Sequence, residues 1–417
     1  MRESREDWLV VVVSTVGLAI SMLYVYSLGA LIIPVQAEFG WPRGEIVGGL
    51  TFVSVISVVM APLVGWGIDR LGSRRIALAG MTIFCAAIAA LSLTTPHIWH
   101  WWATWALIAC GSVLIKPTVW MAAIGSRFVE RRGLAIGLAL SGTGICSATA
   151  PFITHAMVDS WGWRTAVFGL GAGGAAIALP LMLLFFRDRK VEPGQRRADA
   201  PAATGLEVRE AMRSTRFLRM AVAGFTQMFA VMALTVHFVP IMVQASMPRA
   251  DAAAVAGTIG VAAIISHIAV GHFLDRFSGP LIGGLSFGLP VVACVLLLNF
   301  DGSLAAAAMV GAVIGLSLGA GVDVMTYLAS RYFGMRHYGL IFGTMGGMMS
   351  LGIGFGPTFA GMMFDSFGSY DMMFSVLIPI FALGAVLIGS LGRYPEFGSS
   401  GRATVPDAAA GAAEAAA

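Results

Sequence analysis

Gly65-Trp66-Gly67-Ile68-Asp69-Arg70 returns as Gly271-His272-Phe273-Leu274-Asp275-Arg276, 206 residues further along the chain. Gly133-Leu134-Ala135-Ile136-Gly137 returns at the same offset as Gly339-Leu340-Ile341-Phe342-Gly343. Pro151 returns as Pro357, and Asp159-Ser160-Trp161-Gly162 as Asp365-Ser366-Phe367-Gly368. Four matches at one spacing, each at the same place in its half, describe a chain built from two parallel copies of one unit.

What the unit is made of follows from composition. Of the 417 residues, 58% are hydrophobic and only 12% charged, and the mean hydropathy is +0.83. Soluble domains carry about 25% charged residues, so this is an all-α membrane protein. Apolar runs near 8–34, 46–68, 76–94, 99–124, 133–156 and 164–186 predict six crossings in the first half. Runs near 217–244, 252–274, 280–299, 303–330, 338–364 and 371–391 predict six more, and we number the twelve in order. The first run is too long for a signal-peptide core and has no small-residue cleavage site, which predicts an uncleaved helix.

The division expected is a six-helix half over 8–186, a linker over 187–216, a second half over 217–391 and a disordered tail over 392–417. Of the 26 lysines and arginines, all but Arg43, Arg164, Arg249 and the intramembrane Lys116 fall on one side. The positive-inside rule makes that side, with both termini, cytoplasmic in a multi-pass protein of the cell (inner) membrane. The scattered basic loops give no nucleic-acid surface; the partners expected are membrane lipid, a small organic solute and protons. Cys85, Cys110, Cys146 and Cys294 lie in apolar runs without disulfide or metal spacing, so neither a metal nor a cofactor is expected.

Two six-helix halves in parallel orientation resemble the major facilitator superfamily, which binds solute between its halves at mid-membrane. Gly65 to Arg75 resembles that family's signature loop between helices 2 and 3. Phe39-Gly40-Trp41-Pro42-Arg43, the run Ser126 to Gly142 and the run Asp323 to Gly334 resemble the bacterial monocarboxylate porter branch. The resemblance implies a cavity lined by helices 1, 4, 7 and 10. It also leads one to expect an arginine at 267 and an aspartate at 263, where this chain has His267 and Ala263; the branch's helix 1 lysine has no counterpart near Gly29.

Four ionisable residues lie well inside the predicted spans: Lys116 on helix 4, His237 on helix 7, His267 on helix 8 and Asp323 on helix 10. A charge in hydrocarbon costs roughly 2.5–3.5 kcal/mol on insertion scales, so each needs a partner or a task. Pro117 predicts a kink beside Lys116. Lys116 and Asp323 are 207 residues apart, one off the repeat, which predicts matching depths in opposite halves. They either face each other across the cavity and bias its opening or form a static ion pair. Trp120 and Tyr327, each four residues on, share the faces of these charges. His267 is a carboxylate site and proton relay or a neutral interhelical hydrogen-bonding group. His237 stands in the outer part of helix 7. Tyr24 and Tyr26 either offer hydroxyls to a solute or pack. Trp99, Trp101, His97 and His100 read as an interfacial belt.

Asp69 and Asp275 read as gate parts, each meeting a helix N-terminus of the other half, with Arg70, Arg74, Arg75 and Arg276 beside them. Gly133/Gly137, Gly343/Gly347 and Gly352/Gly356 let helices 5 and 11 approach their neighbours closely.

The reading these residues support is a proton-coupled secondary transporter of a small organic solute, a monocarboxylate or related anion, working by alternating access. The near-balanced charges also suit an exporter or facilitator of a neutral, zwitterionic or drug-like compound. A membrane-embedded enzyme would need a His-Glu-x-x-His motif or a nucleophile beside a base, and no such pattern occurs.

Overall fold

A computed structural model describes residues 5–125, 127–128, 132–186, 205–397 and 403–404. Among these residues, 11 helices are long and apolar enough to cross a bilayer. The longest, Leu134–Phe185, has 52 residues, whereas one crossing takes roughly 20. Its backbone breaks at Gly162, whose φ of 78° is a conformation glycine adopts without a Cβ clash. It therefore crosses twice, as helix 5 before Gly162 and helix 6 after it, and the crossings number twelve. Gly368, the repeat partner of Gly162, has φ 70° and ends helix 11 in the same way.

The other crossings are helix 1 (Asp7–Phe39), helix 2 (Gly49–Leu71), helix 3 (Ser73–Leu93) and helix 4 (Ile98–Met121). In the second half they are helix 7 (Thr215–Gln244), helix 8 (Arg249–Arg276), helix 9 (Gly279–Leu298), helix 10 (Leu304–Phe333), helix 11 (Tyr338–Phe367) and helix 12 (Asp371–Gly389). A one-turn helix, Arg43–Val47, leads into helix 2.

Within each half, small residues let backbones touch. A Cβ on Gly315 would lie 2.2 Å from the Ile259 carbonyl oxygen, and one on Gly319 2.4 Å from that of Ala263, so helices 8 and 10 meet without side chains between them. Gly352 and Gly356 seat helix 11 on helix 7 in the same manner at Phe225 and Phe229.

Between the halves the contacts are one-sided. Gly257, Gly260 and Ile264 of helix 8 lie on Gly144 and Ala148 of helix 5; Leu50 and Ser54 of helix 2 lie on Gly354 of helix 11; Gly29 lies on Val236. These contacts run from the end away from the arginine-rich loops to about the middle of the helices. Toward the arginine-rich face the same helices separate: among the described residues nothing lies within 4 Å of where a Cβ would stand on Gly137, Gly271, Gly339, Gly343 or Gly346. The molecule is sealed on one face and open between its halves on the other. The glycines expected to pack helices 5 and 11 thus divide, with Gly352 and Gly356 in tight contact and Gly137 and Gly343 facing open space.

Two boundaries shift from those expected. Of the 187–216 linker, 187–204 lies outside the described residues. Its last part belongs with the second half, because Leu206 N–H donates to the Phe333 carbonyl (2.9 Å) and Glu207 pairs with Arg336 (2.9 Å). The start of the expected disordered tail is likewise bonded down. Tyr332 donates to the Gly392 carbonyl, Arg216 donates to that of Arg393, and the Tyr394 hydroxyl accepts from Gly279 N–H (2.9 Å). Glu396–Phe397 pairs with Ala403–Thr404; residues 405–417 lie outside the described part.

Candidate functional site

Helix 4 breaks where Pro117 requires it. Leu114, Ile115 and Lys116 leave the α-helix, and Val119 N–H bonds the Lys116 carbonyl in place of that of Ile115. Trp120 takes up the carbonyl this leaves open: its Nε1–H donates to Ile115 O (2.8 Å). The indole is fully buried against Gly17 of helix 1 and Phe186. Trp120 therefore braces the kink inside the first half and does not share the exposure of Lys116, which is half-buried.

The carboxylate of Asp323 is bonded to His267 and not to Lys116. His267 Nδ1–H donates to Asp323 Oδ2 at 2.8 Å, and the side chains are 44% and 34% exposed. Among the described residues no carboxylate lies within ion-pair distance of Lys116, so the direct Lys116–Asp323 pair is not formed in this conformation. His267 lies on the helix 8 stripe of Gly257, Gly260 and Ile264, one turn past the last contact with helix 5. The His267–Asp323 pair accordingly stands where the halves begin to part.

At the closed end of the opening, Tyr26, Ser147 and Thr235 line a void of about 10 Å³ between helices 1, 5, 7 and 8. That is room for one water, and the buried Ser147 hydroxyl lies beside Tyr26 at its edge. Tyr26 is thus the helix 1 tyrosine that faces the other half. Tyr24 packs edge-on to Phe84 and Trp105 within its own half. Tyr327 reaches the start of helix 9 beside Gly279. Trp101, expected at the interface, is buried and donates to the Ile46 carbonyl (2.9 Å), whereas Trp99 is exposed.

Of the expected gate residues, Asp275, Arg276, Arg70 and Arg75 are exposed on the open face, with Arg70 over Trp66 and Arg74 donating to the Leu183 carbonyl. The side chain of Asp69 lies outside the described part. The chemistry anticipated for those aspartates occurs on the opposite face. Asp365, at the end of helix 11, accepts from the backbone N–H groups of Arg43 (2.9 Å) and Gly44 (2.8 Å) at the entry to helix 2. The Arg43 side chain lies over Phe364, donates from Nε to Gln36 Oε1 (3.0 Å) and donates to the Tyr370 hydroxyl (2.9 Å). Thr51 and Thr358 hydrogen-bond across the same seam (2.9 Å).

His237 is fully buried and bonded on both nitrogens, to Tyr370 (2.8 Å) and to the Pro357 carbonyl (3.0 Å). It is part of the seal and not an interfacial side chain. Sequence reasoning passed over Asp365, Arg43 and Tyr370 as functional residues. One signal was present: Pro42-Arg43 and Asp159 reappear at offset 206 as Pro248-Arg249 and Asp365.

The Major Facilitator Superfamily profile matches residues 14–346. The chain belongs to the major facilitator superfamily. Within it, the chain is similar to Monocarboxylate transporter 10 of Danio rerio, at 24% identity over 348 residues that cover 78% of this chain and 65% of that protein. It is also similar to Monocarboxylate transporter 10 of Homo sapiens, at 23% identity over 356 residues with 78% and 65% coverage. The chain thus spans just under two thirds of the length of these curated relatives. Among solved structures it resembles a bacterial homolog to the human lysosomal transporter Spinster, in an inward-facing and unoccupied conformation. That likeness has a TM-score of 0.69 at 16% identity, over 94% of this chain and 95% of the other. The superfamily fold accounts for the two halves and the junction between them.

Proposed function

We propose that this superfamily member is a secondary transporter of a small organic solute, most simply a monocarboxylate or related organic anion. It works by alternating access, with the arginine-rich face and both termini cytoplasmic. The molecule is then inward-open, its outer face closed at Asp365–Arg43 and at the helix 5–helix 8 contact. The observation that carries the reading is the His267–Asp323 bond standing exposed at the parting of the halves.

That pair suits coupling to protons. A carboxylate and an imidazole sharing one hydrogen exchange it without creating an unpaired charge, and both are reachable from the open side. Lys116 lies well inside its predicted span and is half-buried, so an anion entering from the open face meets an amine with no carboxylate within ion-pair distance among the described residues. The closing motion brings Asp275 and Asp69 toward the helix ends of the opposite half as the outer seal releases. Likeness to monocarboxylate transporters supports the anion over a neutral solute, and the histidine at 267, in place of an arginine, narrows that support. Uptake into proteoliposomes from a panel of lactate, pyruvate, aromatic acids and dicarboxylates tests the proposal. Accumulation of a monocarboxylate driven by inward proton flow is the expected result; gradient-independent movement of neutral solutes alone contradicts it.

A further inference from the structure

Gln36, Arg43, Tyr370, His237 and Pro357 form a continuous line of hydrogen bonds from the turn between helices 1 and 2 into the contact of helix 7 with helix 11. Each member has its donor and acceptor roles assigned by its neighbours. The Pro357 carbonyl only accepts, so His237 Nε2 carries the ring hydrogen. Arg43 donates to the Tyr370 oxygen, which leaves the phenol hydrogen for His237 Nδ1, a bare acceptor. The imidazole in this line is neutral.

A proton on Nδ1 is incompatible with that order. The Tyr370 oxygen would face two donors, and its own hydrogen would lose the acceptor it has in the described hydrogen bonds inside a fully buried site. The imidazolium would also oppose the Arg43 guanidinium across a single oxygen atom. Among the described residues, helix 11 presents to His237 only the Pro357 carbonyl, and the turn before helix 12 presents Tyr370. Behind Tyr370 stands Arg43, and Asp365 is engaged with backbone N–H groups, so it does not pair with that guanidinium. The repeat partners of His237 and Tyr370 are Leu31 and Arg164, so the pseudo-symmetric seam between helices 5 and 8 has no such group.

We propose that His237 is a proton-binding site of the outer gate: a proton there breaks the Arg43–Tyr370–His237 line and favours the conformation in which the outer face opens. The proposal rests on the alternating-access reading above. By linkage, opening the gate raises the affinity of His237 for protons by the same factor.

The test places a cysteine at Ser54, which is buried in the helix 2–helix 11 seam beneath the latch, in a chain whose four native cysteines are alanine. A membrane-impermeant maleimide is applied from outside in proteoliposomes, and the labelling rate is divided by that of the His237→Gln variant at the same pH. The division cancels the pH dependence of the reagent. The ratio is expected to rise about fivefold or more as the outer pH falls from about 7.5 to about 5.5. Tyr370→Phe, which removes the hydroxyl but keeps the ring, is expected to label fast at both pH values. A flat ratio with fast labelling in Tyr370→Phe overturns the proton site and leaves alternating access standing. Slow labelling in Tyr370→Phe and in Asp365→Asn, unaffected by solute, overturns both.

Discussion

His267 of helix 8 gives its Nδ1 hydrogen to Asp323 of helix 10 at 2.8 Å. The family resemblance leads one to expect an arginine at 267 with an aspartate one turn back on the same helix. Here position 263 is alanine, and the carboxylate comes from the neighbouring helix. Gly315 and Gly319 make this reach possible, because without their glycines helices 8 and 10 would stand too far apart for an imidazole to bridge. The pair keeps one cation-capable side chain and one carboxylate together, but on neighbouring helices and with an imidazole in place of a guanidinium.

Asp323→Asn keeps the shape of the side chain and removes the carboxylate that His267 bonds. Proton-driven uptake is expected to fall about tenfold or more, equivalent to ~1.4 kcal/mol, while solute exchange at equal pH persists. Parallel assays of gradient-driven uptake and of counterflow in proteoliposomes separate the two.

Lys116→Met removes the amine while keeping a long apolar stem. If Lys116 receives the anion, the half-saturation concentration for an anionic solute rises about tenfold or more with normal expression. Unchanged uptake kinetics in this variant would assign Lys116 to structure alone.

Asp365→Asn replaces a charged acceptor at the backbone N–H groups of Arg43 and Gly44 with a neutral one. Asp365 is exposed, so solvent screening holds the loss to about 1 kcal/mol, below the usual range for hydrogen bonds to charged groups. That shifts the inward–outward balance several-fold toward outward-open. Hydrogen exchange of Arg43–Val47 should quicken while helices 8 and 10 stay protected. Burial pushes the Tyr370 phenol up to about 12, so this latch keeps its phenol hydrogen throughout the physiological pH range.

Trp120→Phe is expected to leave the Ile115 carbonyl buried without its donor, at a cost of about 1–3 kcal/mol. Thermal unfolding in detergent should show a lowered midpoint, with the half-saturation concentration for solute unchanged. A raised half-saturation concentration would put Trp120 at the solute after all.

Gly356→Ala and Gly137→Ala separate packed from open glycines. A Cβ on Gly356 would stand 1.9 Å from the Phe229 carbonyl oxygen, whereas nothing lies within 4 Å at Gly137. The first is expected to destabilise by about 1–3 kcal/mol and the second to leave the unfolding midpoint unchanged in the inward-open state.

The twelve crossings and the twofold repeat were legible because hydropathy and a fixed offset act through length alone. The kink at Lys116 was legible because proline removes a donor whatever surrounds it. Partner choice was not: spacing put Asp323 opposite Lys116, but a carboxylate bonds the donor within reach, and close packing of helices 8 and 10 brings His267 there. Trp120 and Tyr327 were placed on the faces of Lys116 and Asp323 from helical spacing, which fixes a face but not what lies against it. The gate chemistry anticipated for Asp69 and Asp275 belongs to whichever face is closed, and here Asp365 performs it. Which face is closed is a property of the conformation that no stretch of sequence displays.

The most direct measurement is uptake of a radiolabelled monocarboxylate into proteoliposomes with and without an inward proton gradient, comparing the wild-type chain with Asp323→Asn. The account predicts gradient-driven accumulation in the wild type and only equilibration in the variant. Equal accumulation by both, or none by either under any gradient, would contradict a proton-coupled transporter working through His267 and Asp323.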